Sequence, residues 1–200
     1  MACLRLSLKR IQQLPDLCGP ACAQMILLAE GGVKNNSDNV QLELWDEVQA
    51  NTGNATSGFP ITESCSGDPL EWATHPVALR KTLNDHLPGS PVHVIGHSDE
   101  DVTTVNVLRS VKQGLAPAVL VEDTTHWIVA VGCSRTQPRG GGVPEETHDG
   151  DVMTHILIRD PAAGGYLTRI TLDEWRTRLY AVECGDFMTE YVVVGAKPSP

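Results

Sequence analysis

The apolar positions change period halfway along the chain. In the first half they recur every three or four residues, as on one face of an α-helix. The stretch CGPACAQMILLAEGG predicts a helix with Ala21, Cys22, Met25, Ile26, Leu28 and Ala29 on a broad apolar face and Gly31-Gly32 as its stop. SDNVQLELWDEVQANTG predicts a second helix, capped by Ser37, lined by Val40, Leu44, Trp45 and Val48, and ended by Gly53. THPVALRKTLNDHLPG predicts a third, with Pro76 near the first turn and Pro88-Gly89 at its end. In SDEDVTTVNVLRSVKQG, Ser98 and Asp101 have capping-box spacing, Val102, Val105 and Leu108 line a face, and Gly114 closes the helix.

The second half is written in short β-branched runs. Residues 117–122, 126–133, 152–160, 166–171 and 190–195 read as strands. One short helix, LDEWRTRLY, interrupts them, with Thr171 and Glu174 in capping-box spacing. Before them, HVIGH alternates like a strand, and His93 and His97 read as polar residues on a rim rather than as a ligand pair. Helices first and strands later predict an α+β fold, an N-terminal helical half packed on a C-terminal antiparallel sheet. Strands 126–133 and 152–160 are placed to pair as a hairpin, joined by the long, polar segment 134–151. No linker or internal repeat divides residues 1–200, which are read as one domain.

Composition narrows the function classes. The hydrophobic fraction of 41% is that of a globular chain, and no apolar run is long enough to span a membrane. The N-terminus lacks the apolar core of a secretion signal, so a cytoplasmic location is expected. A formal net charge of −10, with the 15 basic residues scattered, argues against a nucleic-acid partner. Six cysteines in 200 residues is too few for a disulfide scaffold, and reduced thiols are expected. Cys18 and Cys22 lack the partners that a tetrahedral metal site needs, so neither metal nor cofactor is expected.

The chemistry lies in three separated places. A thiol attacks well only as a thiolate, which a helix N-terminus or a nearby histidine favours. Cys18 stands at the head of the first predicted helix, followed by Gly19 and by Pro20, which suits a first turn. Cys22, one turn on, falls on the apolar face. His126 begins an apolar strand after a polar turn, where a side chain is fixed by the sheet yet open to a cleft. Asp160 ends the strand HILIRD ahead of Pro161, so the hairpin would set it across from His126, with Cβ atoms about 5 Å apart. There it would orient the imidazole. Gln12, with Gln13 as its neighbour in case of a register change, supplies an amide that can help the Cys18 N–H bind an oxyanion.

The order Gln12, Cys18, His126, Asp160 resembles that of papain-like cysteine peptidases, and most closely the C39-like branch that processes bacteriocin leaders. The matching residues are QQLPDLCGPACAQMIL, then GLAPAVLVEDTTHWIVAVG, then ILIRDPAAGGYLTRITLDEW. They span residues 12–30 and 114–176. The resemblance implies a papain-like fold, Cys18 rather than Cys22 as nucleophile, and a peptide or protein substrate. Related thiol chemistry (deamidase, transglutaminase or isopeptidase) and a non-catalytic leader-peptide-binding module are the other readings.

Overall fold

A computed structural model describes residue 14 and residues 16–33, 35–52, 73–89, 91–122, 126–134, 145–146, 152–184 and 188–196. Gln12, Gln13 and the 54–71 stretch lie outside the described residues, as does most of 134–151. The helices are α1 (Cys18–Glu30), α2 (Asp38–Thr52), α3 (Pro76–His86), α4 (Glu100–Lys112) and α5 (Leu172–Arg178). The strands are β1 (Val92–His97), β2 (Ala118–Val121), β3 (His126–Ser134), β4 (Glu145–Glu146), β5 (Val152–Met153), β6 (His155–Arg159), β7 (Leu167–Thr171), β8 (Ala181–Cys184) and β9 (Met188–Ala196).

A seven-stranded sheet runs β1-β9-β2-β3-β6-β7, with β8 also on β9, and every pairing is antiparallel. Its two faces carry separate cores. Trp127, Val129 and Val131 of β3 point with Ala118, Leu120, Val192 and Val194 towards α1, α2 and α3. Ile128, Ala130 and Cys133 point with Val119, Val193 and Ile156 towards α4 and α5. This two-sided burial explains why AVLV and WIVAVGC are continuously apolar: a sheet covered on both faces has no solvent side for polar residues to occupy. β7, at the edge, is exposed at four of its five positions. The β3–β6 ladder skips at Val131, between the pairs Ala130↔Ile158 and Gly132↔Leu157. That bulge reverses the alternation and turns Cys133 onto the same face as Ala130.

The helix starts and stops agree in part with the sequence. Ser37 Oγ accepts from Val40 N at 3.4 Å, and Thr171 Oγ1 accepts from Glu174 N at 3.1 Å. The cap of α4 is Asp99, not Ser98: its Oδ1 accepts from Asp101 N at 2.7 Å and Val102 N at 3.1 Å. A carboxylate next to the first turn outcompetes a hydroxyl one residue earlier, because the macrodipole adds to the hydrogen bond. The helix therefore starts one residue later, and its buried face is formed by Thr103, Thr104, Val107 and Leu108, while Val102 is 44% exposed. In α1 the buried residues run unbroken from Cys18 to Leu27, and Leu28 and Ala29 lie outside the core. A helix wrapped on all sides has no single apolar face to read. Gly31 ends it at φ 78°. β8 escaped the sequence reading, its AVEC run being too short and mixed to register as a strand.

Among the described residues no helix is long and apolar enough to cross a membrane.

Candidate active site

α1 begins at Cys18, 2% exposed, after Leu17, which provides no side-chain cap. The first helical N–H groups have no partner within the helix, so they face whatever lies at its head. Pro20 contributes no donor there, and Ala21 N is the first to close the ladder, onto Leu17 O at 2.9 Å. Gly19 is fixed by crowding. A Cβ on it would stand 2.2 Å from Thr74 Cγ2, so the segment before α3 lies directly on the start of α1. Cys22 Sγ donates to Trp127 O at 3.3 Å inside the core. Trp127 Nε1 in turn donates to Thr74 O at 3.1 Å. Helix α1, strand β3 and residues 73–75 are thus tied together immediately beside the Cys18 thiol.

His126 opens β3 and lies against this assembly. Its Nε2 is 2.7 Å from Asp160 Oδ1, and both side chains are mostly buried. Its other polar neighbour is the Cys18 side chain, to which it is hydrogen-bonded. With Nε2 engaged by the carboxylate, Nδ1 is the nitrogen left to the sulfur. Burial opposes a charge on the ring, but the hydrogen bonds and charges of Asp160 and Cys18 outweigh it and raise the His126 pKa to about 9. Burial likewise works against the Asp160 carboxylate, yet His126 and the amides of Ala163 and Ala162 hold its pKa below the ordinary value. Burial first, then the nearness of Cys18 and Asp160, pushes the Cys22 thiol well up. The two cysteines of the CGPAC segment therefore occupy different environments: one touches an imidazole, the other a main-chain carbonyl.

Three of the residues singled out in the sequence converge, and Gln12 lies outside the described residues. One detail differs from expectation. The register Val129↔Arg159 continues to set Asp160 opposite Ile128, so His126 and Asp160 are diagonal neighbours and not a facing pair. Asp160 lies just beyond the end of β6, in a turn where its Oδ1 also accepts from Ala162 N at 2.9 Å and Ala163 N at 3.3 Å. Those amides went unread in the sequence, although Asp-Pro followed by Gly-Gly is a turn signature. His75 was missed as well. It caps α3, its Nδ1 accepting from Val77 N at 3.2 Å, and burial lowers its pKa to about 4. Three other described histidines make polar contacts away from this site: His97 with Asn106 at 2.8 Å, His86 with Glu47 at 2.9 Å, and His155 with Thr154 at 2.8 Å.

No protein-family model and no curated protein matches the chain. Two solved structures match its fold along nearly the whole length. One is a double glycine motif protease from an AMS/PCAT transporter in complex with the leader peptide, at TM-score 0.52 and 12% identity, covering 95% of this chain and 91% of that one. The other is the peptidase domain of Streptococcus ComA, a bi-functional ABC transporter involved in a quorum sensing pathway, at TM-score 0.51 and 13% identity, covering 96% and 98%. The chain has the α+β, papain-like fold of these C39-like peptidase domains.

Proposed function

We propose that the chain is a cysteine peptidase in which Cys18 is the nucleophile, His126 the general base and acid, and Asp160 the orienter. The observation that carries this reading is the 2.7 Å contact between His126 Nε2 and Asp160 Oδ1, with the Cys18 side chain hydrogen-bonded to the same ring. The Cys18 sulfur, its proton passed to His126, attacks a peptide carbonyl and forms a C–S bond. The oxyanion accepts from the Cys18 N–H and from the Gln12 amide. His126 gives its proton to the leaving nitrogen as the C–N bond breaks. A water then attacks the thioester, His126 takes its proton, and the carboxyl product leaves the sulfur. Asp160 keeps the ring in one orientation and stabilises its charged form throughout. Residues at the helix head that hold a thiol, a base and an oxyanion together need no metal for this chemistry.

The substrate class in this reading is a peptide or protein segment, in keeping with the leader peptide bound to the PCAT domain. The test is alkylation with iodoacetamide at about pH 6, well under the ~8.5 of an ordinary thiol, followed by mass spectrometry and by cleavage assays on a peptide library. The expected result is modification of Cys18 ahead of the other five cysteines, lost in His126→Ala, and cleavage abolished in Cys18→Ala. Labelling of Cys18 no faster than that of the other thiols, or full cleavage by Cys18→Ala, overturns the reading. Ammonia release without chain shortening would assign the same residues to a deamidase, and peptide binding that survives His126→Ala without any cleavage would assign a binding module.

A further inference from the structure

The turn that carries Asp160 is a poor support by composition. It reads Pro-Ala-Ala-Gly-Gly, and its two glycines are both left-handed, Gly164 at φ 83° and Gly165 at φ 65°. Ala162 and Ala163 are exposed and have no side chains with which to anchor it. Glycines lose the most backbone freedom on ordering, so such a loop holds one shape only if something closes it. Beside the Ala162 and Ala163 amides on Asp160 Oδ1, two contacts at Gly165 do so. Its N–H donates to Asp160 O at 2.7 Å. Its carbonyl accepts from Arg159 Nη1 at 2.6 Å. Arg159 is itself fixed in the sheet, paired on one side with Val129 and on the other with Leu167.

We infer that Arg159 is a positioning residue for the site: by clasping the Gly165 carbonyl it holds the 160–165 turn in the form that presents the Ala162 and Ala163 amides to Asp160. The amides and the imidazole converge on the same oxygen, Oδ1. If the turn opens, that oxygen loses two donors and the carboxylate loses its aim at His126. The inference rests on the peptidase reading for its kinetic consequence, but its structural consequence can be read without any substrate. The groups acting on the His126 charge are Asp160, from the turn, and Cys18, from α1. Asp160 is also felt by Cys22.

The experiment follows the imidazole titration of His126 by NMR in the full chain, for the wild type, Arg159→Met and Arg159→Lys, alongside thermal unfolding and peptide cleavage. Arg159→Met keeps the apolar stem of the side chain and removes the donor. It is expected to move the His126 midpoint down from about 9 towards 6.5, and to lower kcat by ~10²-fold, the scale of a small misplacement of reacting groups, with KM unchanged. Arg159→Lys, which keeps a charge that can reach the carbonyl, is expected to recover part of both. A folded Arg159→Met with the wild-type His126 titration and kcat overturns the inference, and so does failure of both variants to fold, which would make Arg159 a structural residue. If the wild type neither cleaves peptides nor alkylates selectively at Cys18, the peptidase reading fails, while the titration still decides the role of Arg159.

Discussion

The thiol of Cys22 donates its hydrogen bond to the carbonyl of Trp127, the residue after His126, across a sequence gap of 105 positions. This contact joins the helix that begins with Cys18 to the strand that begins with His126, one turn and one residue away respectively. Cys22→Ala removes the sulfur and leaves a buried carbonyl short of a donor. It is expected to cost about 1–3 kcal/mol of stability, measured by urea unfolding, with peptide turnover changed only a few-fold. Cys22→Ser, which can still donate, should recover part of the loss. A Cys22→Ala variant with wild-type stability would show that the contact contributes nothing.

Gly19 has no room for a side chain. Its Cβ would meet Thr74 at Cγ2 (2.2 Å), Oγ1 (2.4 Å) and Cβ (2.5 Å), all on a residue tied to Trp127 through its own carbonyl. Gly19→Ala must therefore push α1 away from residues 73–75, and overpacking of this kind costs about 1–3 kcal/mol. The displacement starts at the residue next to Cys18, so alkylation of Cys18 should slow as well. Because Thr74 Cβ is itself too close, Thr74→Ala should not rescue Gly19→Ala, whereas Thr74→Gly should. Rescue by Thr74→Ala, seen in thermal unfolding, would contradict this geometry.

His75 makes the fold sensitive to acid. Its folded pKa, lowered by burial to about 4, lies under the ordinary 6.5. The unfolded chain therefore takes up the proton first, and stability present above pH 6.5 is lost progressively as pH falls towards 4. The loss at its full extent is on the order of 3 kcal/mol. Its Nδ1 would also cease to accept from Val77 N. His75→Asn, which can cap without titrating, should flatten the stability profile over that window. Parallel profiles for variant and wild type would exclude His75 as the source.

His126 behaves in the opposite sense. Its folded pKa is raised to about 9, so the stabilisation from its contacts is complete below 6.5 and is lost as pH rises through 9. Under the peptidase reading, turnover also falls above about 9, where the ring no longer carries the proton for the leaving amine. Asp160→Asn should bring that alkaline limb down in pH and cut kcat by up to ~10⁴-fold, the scale on which loss of the orienting carboxylate acts in such a triad. An unchanged limb in Asp160→Asn would remove Asp160 from the site.

The site residues were more legible than the surface that surrounds them. Cys18, His126 and Asp160 each stand where an element begins or ends, beside turn signals that mark such places: Gly19-Pro20, the polar residues before His126, and Pro161. The antiparallel pairing of β3 with β6 could be anticipated too, although the strand expected over 152–160 is broken at Thr154 into β5, which pairs with β4, and β6, which pairs with β3. What stayed hidden were contacts made by chemistry without a period. Thr74 and His75 follow a stretch of Ser, Gly and Pro and look like ordinary loop residues. Only the crowding against Gly19 and the Nδ1 cap on α3 give them roles. The exposure of Val102 went unread for a related reason: the inward face of α4 is set by tertiary packing, including Trp175, whose Nε1 donates to Thr104 Oγ1 at 3.2 Å, and the adjacent cap candidates Ser98 and Asp99 do not reveal it. The diagonal setting of Asp160 depends on register, which the side-chain pattern constrains only to within two residues.

The layering of the fold has a consequence for synthesis. The thiol leaves the ribosome with α1, while the imidazole and the carboxylate follow with β3 and the turn after β6. Until the β3–β6 hairpin forms and docks, the nascent chain carries a cysteine with neither partner, on a helix that has only α2 and α3 to pack against. Closing so long a loop is among the slowest steps a chain of this topology takes. Under the peptidase reading, the growing polypeptide is thereby protected from its own thiol, and the appearance of Cys18 reactivity would report the docking of that hairpin beside α1.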